Sequence, residues 1–223
     1  MNYRLFSMCI LCLSAVISAN AEDVVHERIE WSDVWIVDAD STSKTRVLLV
    51  GDSIVRGYYS GVEKGLGDSV SCARYTTSKF LLHPDYLTEL GVLVKRFHFD
   101  VIHLNNGLHG WGHSEEQYRE GLEKLLAFLK ETTPDSKLIW AMTTPVREGN
   151  NIEVVNEERS NRVIARNRIA SEILEKQGIP VNDLYSLVAD HTDFYSKDGT
   201  HFSEAGRDAE AAQVVAAVQD VLK

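Results

Sequence analysis

Two short motifs at opposite ends of the chain hold the residue types of a nucleophilic catalyst. Ser53 ends a Gly-Asp-Ser motif that directly follows the apolar run 47–50, and Asp198 and His201 are the ends of an Asp-Gly-Thr-His motif near the C-terminus. A serine attacks an acyl carbon when a histidine accepts its proton and an aspartate orients that histidine. The sequence therefore predicts Ser53 as nucleophile, His201 as base and Asp198 as its orienter, in the chain order Ser…Asp…His of α/β hydrolases.

Each motif also has a purely structural interpretation. Asp52 or Ser53 could cap a helix, Asp198 could shape a turn, and Ser203 could cap the last helix. Because three complementary roles are filled together, the catalytic interpretation is favoured. The glycines around Ser53 lack the G-x-G-x-x-G spacing, so no dinucleotide loop is predicted there.

A third polar concentration is the glycine-rich loop 105–113. Asn106 and His109 are the first candidates to stabilise an oxyanion or bind substrate, and Asn105 and Gly107 are the further ones. The alternative is a loop in which the asparagine amides only satisfy backbone groups.

Histidines suggest a metal site as another alternative, because His103, His109 and His113 cluster in sequence. His103 falls inside the apolar run 101–104, so the three imidazoles need not converge on one ion. We therefore predict no metal and no cofactor.

The segments that must position these residues alternate between two patterns. Short apolar runs typical of buried strands occupy 47–50, 69–73, 101–104, 138–142 and 179–181. Segments with helical spacing occupy 86–97, 115–130, 154–177 and 205–222. This alternation predicts an α/β fold with a parallel sheet, whose ligands bind at the carboxyl ends of the strands.

The N-terminal part divides at residues 21 and 46. Residues 1–21 combine Arg4, an apolar stretch and a small-residue cleavage site at Ala19 and Ala21, which predicts a cleavable signal peptide of bacterial type and a secreted or periplasmic protein. Residues 22–46 form an extension, either one face of a helix or an edge strand, and 47–223 form the catalytic domain.

Composition limits the partners. The chain has 33 acidic and 23 basic residues and a formal charge of −10, which disfavours nucleic acid and anionic membrane surfaces. We expect no membrane insertion after signal cleavage, and the oligomeric state is not predicted. Cys72 is the one cysteine outside 1–21, and we expect a buried, inert thiol.

The two end motifs and the alternation between them resemble the SGNH, or GDSL-type, hydrolase superfamily. The resemblance extends over about 46–222 and implies a flavodoxin-like three-layer α/β/α sandwich with about five parallel strands. It also implies ester hydrolysis through an acyl-serine. The oxyanion region departs from the family, since His109 stands where Gly-x-Asn-Asp has asparagine and no glycine follows the second strand in 72–78. The sequence Asn-Asn-Gly-Leu-His in its place resembles that of a sub-group of the superfamily.

The predicted function is a secreted serine esterase that removes short acyl groups, O-acetyl in the first instance, from a carbohydrate or other small ester. Export and the aromatic residues Trp111, Tyr58 and Tyr59 favour a glycan or small-molecule substrate over a long lipid chain. The alternatives are a non-catalytic glycan-binding protein on a hydrolase scaffold, and an acyltransferase or lipase-type enzyme that uses the same triad.

Overall fold

Residues 24–223 are described by the computed structural model, and they form a central sheet with helices on both faces. The strands are β1 (Ser32–Trp35), β2 (Thr45–Gly51), β3 (Val70–Thr77), β4 (Val101–Leu104), β5 (Lys137–Ala141), β6 (Arg147–Glu148), β7 (Asn151–Val155) and β8 (Val181–Asn182). The helices are α1 (Ser53–Leu66), α2 (Pro84–Arg96), α3 (Glu115–Thr132), α4 (Glu157–Gln177), α5 (Leu184–Ala189) and α6 (Glu204–Leu222), with a 3₁₀ turn at Thr192–Phe194.

The main sheet has six strands in the order β1-β3-β2-β4-β5-β8. The last five are mutually parallel, as predicted, and β1 pairs antiparallel with β3 at one edge. Of the two interpretations of the extension 22–46, the edge strand is therefore the one that the structure contains. The short strands β6 and β7 form a separate hairpin.

Successive residues of the central strand β2 point into two different cores. Leu48 and Val50 pack with the apolar faces of α2 and α3, while Val47 and Leu49 pack with those of α1 and α6. All four side chains are fully buried. Because side chains alternate across a strand, one apolar run supplies both layers of the α/β/α sandwich.

Two predicted boundaries were wrong by three residues or more. The second strand continues from 73 to Thr77, because β1 pairs with its last four residues on the outer edge. The helix predicted to start at 154 begins only at Glu157, as α4. The Asn156 side chain caps this helix by accepting the Arg159 amide hydrogen. The preceding residues pair with β6 instead.

The predicted signal peptide 1–21 lies outside the described residues. Within 24–223, no helix combines the length and the apolar character needed to cross a membrane. Cys72 is buried and unpaired, as expected, and burial raises the pKa of its thiol to about 12.

Candidate active site

Ser53 lies where the central strand β2 turns directly into α1. Asp52 is the N-cap of that helix, and its Oδ1 accepts the Ile54 amide hydrogen at 2.8 Å. The turn is so tight that a Cβ on Gly51 would lie 2.3 Å from Cγ2 of Val55. Capping by Asp52 and presentation of Ser53 are therefore parts of the same turn, at the carboxyl end of a parallel strand.

The two sequence motifs meet at this edge of the sheet. Nε2 of His201 lies 2.8 Å from Oγ of Ser53, and Nδ1 of His201 lies 2.7 Å from Oδ2 of Asp198. The imidazole and the carboxylate are about half exposed, so the chain of hydrogen bonds faces solvent. This is the arrangement in which an aspartate fixes the imidazole tautomer and the free nitrogen accepts a serine proton.

The turn that carries Asp198 and His201 is held from two sides. Gly199 has φ +71°, and a Cβ there would lie 2.3 Å from the carbonyl oxygen of Arg147, so the position requires glycine. The Arg147 amide donates to the Gly199 carbonyl at 2.7 Å. The β6–β7 hairpin thus positions the turn that carries Asp198 and His201, and Ser203 caps α6 immediately after it.

Asp198 is stabilised in its charged form. Its partial burial favours the neutral acid, but hydrogen bonds from the backbone of His201 and Thr200, and then from the side chains of His201 and Ser196, outweigh burial. The pKa of Asp198 is therefore held well below its ordinary value, and the carboxylate is available to orient His201 at any physiological pH.

Two of the four predicted oxyanion-loop residues serve the loop itself. Asn105 Nδ2 donates to the Ala141 carbonyl at 2.8 Å and to Oγ1 of Thr143 at 3.1 Å, which uses both amide hydrogens. A Cβ on Gly107 would lie 2.0 Å from Oγ1 of Thr143. Asn105 is thus corrected from a candidate donor to a residue that fastens the loop to β5, and Gly107 permits that close approach.

Asn106 and His109 are the two candidates whose polar groups the loop uses only in part. Asn106 is buried, and its Nδ2 donates to the Lys79 carbonyl at 3.0 Å, which leaves one amide hydrogen. His109 is largely buried, with Nδ1 3.6 Å from Oε1 of Glu27. Burial disfavours the imidazolium, but the close contact with the Glu27 carboxylate and the charges of Asp52 and Glu27 outweigh it and raise the pKa of His109.

Arg166 and Glu27 are structural supports that the sequence analysis missed. Arg166 is fully buried and donates to three carbonyl groups of the loop, those of Gly107, His109 and Gly110, at 2.8, 2.7 and 3.0 Å. Glu27 accepts the Gly110 amide hydrogen at 2.7 Å. The available signal was the position of Arg166 on the buried face of α4, three residues before Ile169.

The histidines 103, 109 and 113 do not form a metal site. His103 is buried in β4 with Nε2 3.1 Å from Nδ2 of Asn182, and burial lowers its pKa to about 4. His113 instead stacks on Phe80, with ring centroids 4.5 Å apart. In the described part of the chain, the only group spaced for a metal is His26, Glu30 and His83, where Nδ1 of His83 accepts the Asp85 amide hydrogen and Nε2 has no hydrogen-bond partner.

A pocket of about 280 Å³ adjoins Ser53 and His201. A larger groove of about 700 Å³ lies at the opposite end of the sheet, between the C-terminal ends of α3 and α4, and contains none of the predicted site residues. The pocket at the triad is lined by Ser53, Ile54, Arg56, Gly57, His201, Phe202, Arg207 and Glu210.

The three-layer fold and the serine at the end of its central strand define the class of SGNH, or GDSL-type, hydrolase folds. No protein-family model matches the chain, and no curated protein sequence does. Solved structures match it at low identity and high coverage. An aryl esterase from M. smegmatis has a TM-score of 0.66 at 14% identity, covering 79% of this chain and 99% of that chain.

Two further solved structures match to the same extent. A carbohydrate acetylesterase from Sinorhizobium meliloti has a TM-score of 0.66 at 11% identity, covering 80% of this chain and 100% of that chain. A GDSL-like lipase from Parabacteroides merdae has a TM-score of 0.63 at 18% identity, covering 79% and 96%. These similarities confirm the predicted fold, and with it the resemblance to this superfamily at the level of structure.

Proposed function

We propose that the protein is a carboxylic ester hydrolase that cleaves short acyl esters through an acyl-serine. The observation that carries the proposal is the continuous hydrogen-bonded chain from Ser53 Oγ through His201 to Asp198, at 2.8 and 2.7 Å. The fold shared with an aryl esterase and a carbohydrate acetylesterase supports it.

In the proposed reaction, Ser53 Oγ attacks the acyl carbon while its proton passes to Nε2 of His201. The tetrahedral intermediate collapses when His201 returns this proton to the leaving alcohol, which gives an acyl-serine and a free alcohol. A water molecule then loses a proton to His201, attacks the acyl carbon and releases the acid, and the serine oxygen recovers its proton. Asp198 keeps the proton on Nδ1 throughout.

We propose that the remaining donors near the loop 105–113 stabilise the oxyanion. The free amide hydrogen of Asn106 and a ring N–H of His109 are the proposed contacts, and a backbone N–H from the end of β3 is a further one. Donors of this kind contribute about 3–4 kcal/mol each to transition-state stabilisation in acyl transfer.

The proposed substrate is a carbohydrate or other small molecule that carries a short acyl group, O-acetyl in the first instance. The pocket of about 280 Å³ lies at the small end of ligand pockets, which start at about 300 Å³, and so suits a small group better than a long lipid chain. We propose secretion or periplasmic location from the predicted signal peptide 1–21, with residues 47–223 as the catalytic unit and no cofactor.

The test is hydrolysis of 4-nitrophenyl acetate by residues 22–223 and by Ser53→Ala. We expect Ser53→Ala to lose a factor of about 10³ or more in kcat, because removal of a triad member leaves only binding and oxyanion stabilisation. Ser60→Ala is the matched control, since Ser60 is an exposed serine on the same helix and should retain the wild-type rate.

Covalent labelling by a fluorophosphonate gives an independent readout of the nucleophile. Wild type and Ser60→Ala should label and Ser53→Ala should not. Equal background rates with no labelling would contradict the esterase and favour the glycan-binding alternative. Product analysis with a high concentration of an added alcohol separates hydrolysis from acyl transfer, because only a transferase forms the new ester in preference to the free acid.

A further inference from the structure

Two arginines line the pocket beside the proposed nucleophile. Arg56 lies on α1 three residues after Ser53, and Arg207 lies in the first turn of α6, six residues after His201. Both side chains are exposed, and neither forms an ion pair with a carboxylate of residues 24–223. Elsewhere in this acidic chain, arginines such as Arg119 and Arg162 do form such pairs.

Both guanidinium groups are held in place without using up their donors. Arg56 lies over the Trp31 ring at 4.6 Å from its centroid, and the Trp31 amide is fixed by Oγ of Ser78 at 2.9 Å. Arg207 donates one hydrogen bond, from Nη1 to the Phe202 carbonyl at 3.1 Å. Because a guanidinium has five N–H donors, most of them remain free at each position.

Glu210 also contributes to the pocket wall, in surroundings that disfavour its charged form. Its side chain is fully buried, and neither carboxyl oxygen has a hydrogen-bond partner among the described residues. Burial and the nearby charge of Asp52 raise the pKa of Glu210 well above its ordinary value, which outweighs the opposing effect of Arg207. The surroundings of Glu210 therefore favour its neutral form, which lessens the negative charge beside the two arginines.

The charge of the whole molecule makes this local arrangement informative. With a formal charge of −10, the chain repels anions at long range, so an anionic ligand needs fixed local cations, whereas a neutral ligand does not. We infer that this pocket recognises an anionic group, a carboxylate or a phosphate, on the alcohol part of the ester substrate. Arginine binds both groups through paired N–H donors.

The alcohol part of the ester is assigned to this pocket because the leaving alcohol must receive its proton from His201. His201 must protonate the leaving oxygen, and the pocket extends from His201 along the start of α6 to Arg207. The inference rests on the proposed esterase function for this orientation, but the binding of an anion by the two arginines can be measured without turnover.

The test compares three acetylated glycosides that differ in one substituent: a methyl glucuronoside, the matching neutral methyl glucoside and the corresponding sugar phosphate. We expect wild type to show a kcat/KM about 10-fold or more higher for a charged ester than for the neutral one. The two charged arms decide between carboxylate and phosphate. The same kcat/KM on all three esters would overturn the inference.

The variants are Arg207→Gln and Arg56→Gln, each of which should reduce the charged-to-neutral ratio of kcat/KM several-fold, mainly through KM for the charged ester. Arg96→Gln is the charge-matched control, because Arg96 is an exposed arginine on α2 outside the pocket, and it should keep the wild-type ratio. A ratio that survives both pocket substitutions would also overturn the inference.

Calorimetric binding of the same glycosides to Ser53→Ala separates this inference from the esterase proposal. Charge-selective binding that is lost on adding Arg207→Gln, with no hydrolysis by wild type, would support the subsite and contradict the esterase. Hydrolysis without charge preference would support the esterase and overturn the subsite. The absence of both turnover and charge-selective binding would overturn both.

Discussion

At the scale of single residues, Asp198 shows how one carboxylate can fix a catalytic geometry. Oδ2 accepts a hydrogen bond from Nδ1–H of His201, while Oδ1 accepts hydrogen bonds from the backbone amides of Thr200 and His201, both at 2.9 Å. The same side chain therefore orients the imidazole and folds the turn that carries it. Replacing it would disturb both, so a lower rate in an Asp198 variant cannot be assigned to the tautomer alone.

Glu210 gives a prediction at this scale that is independent of any substrate. Its folded-state pKa is raised above the ordinary value of 4.5 by burial and by the charge of Asp52. Between these two pKa values the folded protein holds a proton that the unfolded chain has released, so the free energy of unfolding falls as pH rises through this window. Glutamine has nearly the shape of the protonated acid but does not titrate.

We therefore expect Glu210→Gln to be about as stable as wild type below the ordinary pKa and more stable at neutral pH. The gain should grow by up to about 1.4 kcal/mol per pH unit within the window. Urea unfolding at several pH values between about 4 and 8 measures this gain in stability. The control is Glu153→Gln, because Glu153 is an exposed carboxyl on β7. A difference between Glu210→Gln and wild type that does not change with pH would contradict the raised pKa.

At the scale of elements, the sequence predicted what depends on local pattern and missed what depends on distant contacts. The strand β2 and the helix α3 follow from an apolar run and from the spacing of Leu122, Leu125 and Leu129. The meeting of Ser53, His201 and Asp198 follows from residue types that few other triplets provide. The supports of the oxyanion loop did not follow, because Arg166 is 57 residues from the His109 carbonyl that it binds.

Glu27 makes this long-range support testable. Its carboxylate faces His109 and raises the pKa of that imidazole, while its Oε1 also accepts the Gly110 amide. In Glu27→Gln an oxygen still accepts the amide hydrogen but the charge is gone, so we expect the pKa of His109 to fall relative to wild type. Resonances of the imidazole followed through a pH titration measure the change.

The control for this experiment is again Glu153→Gln, which removes one acidic charge at an exposed position away from the loop. It should leave the titration of His109 unchanged. If Glu27→Gln and the control titrate alike, the N-terminal segment does not act on the loop electrostatically, and the raised pKa of His109 would be due to the charge of Asp52.

At the scale of the whole molecule, the segment before β2 joins the sheet edge to the active site. β1 pairs with the last four residues of β3, Trp31 carries the ring beneath Arg56, and Glu27 contacts the loop 105–113. Arg56 and the loop 105–113 thus both depend on one segment, which precedes Ser53 in the chain. A terminal element with several specific contacts contributes to stability and to site geometry together.

A chain that begins at residue 36 should therefore lose both stability and activity relative to one that begins at residue 22. Removing β1 leaves the outer edge of β3 unpaired, which favours association between copies through that edge. We expect a Tm lower by several degrees, a concentration-dependent tendency to aggregate, and a reduced kcat/KM on a short acyl ester. Thermal unfolding, light scattering and the 4-nitrophenyl acetate assay measure the three effects.

Substitution of Trp31 by alanine in the longer chain separates the two contributions. This variant keeps the β1–β3 pairing, so its Tm should stay closer to that of the longer chain than to that of the shorter one. It removes the ring under Arg56, so KM for a charged ester should rise while turnover of a neutral ester changes less. If the chain that begins at residue 36 kept the Tm and kcat/KM of the longer chain, residues 24–35 would be an appendage, and the positioning of Arg56 and His109 would have to come from within 36–223 alone.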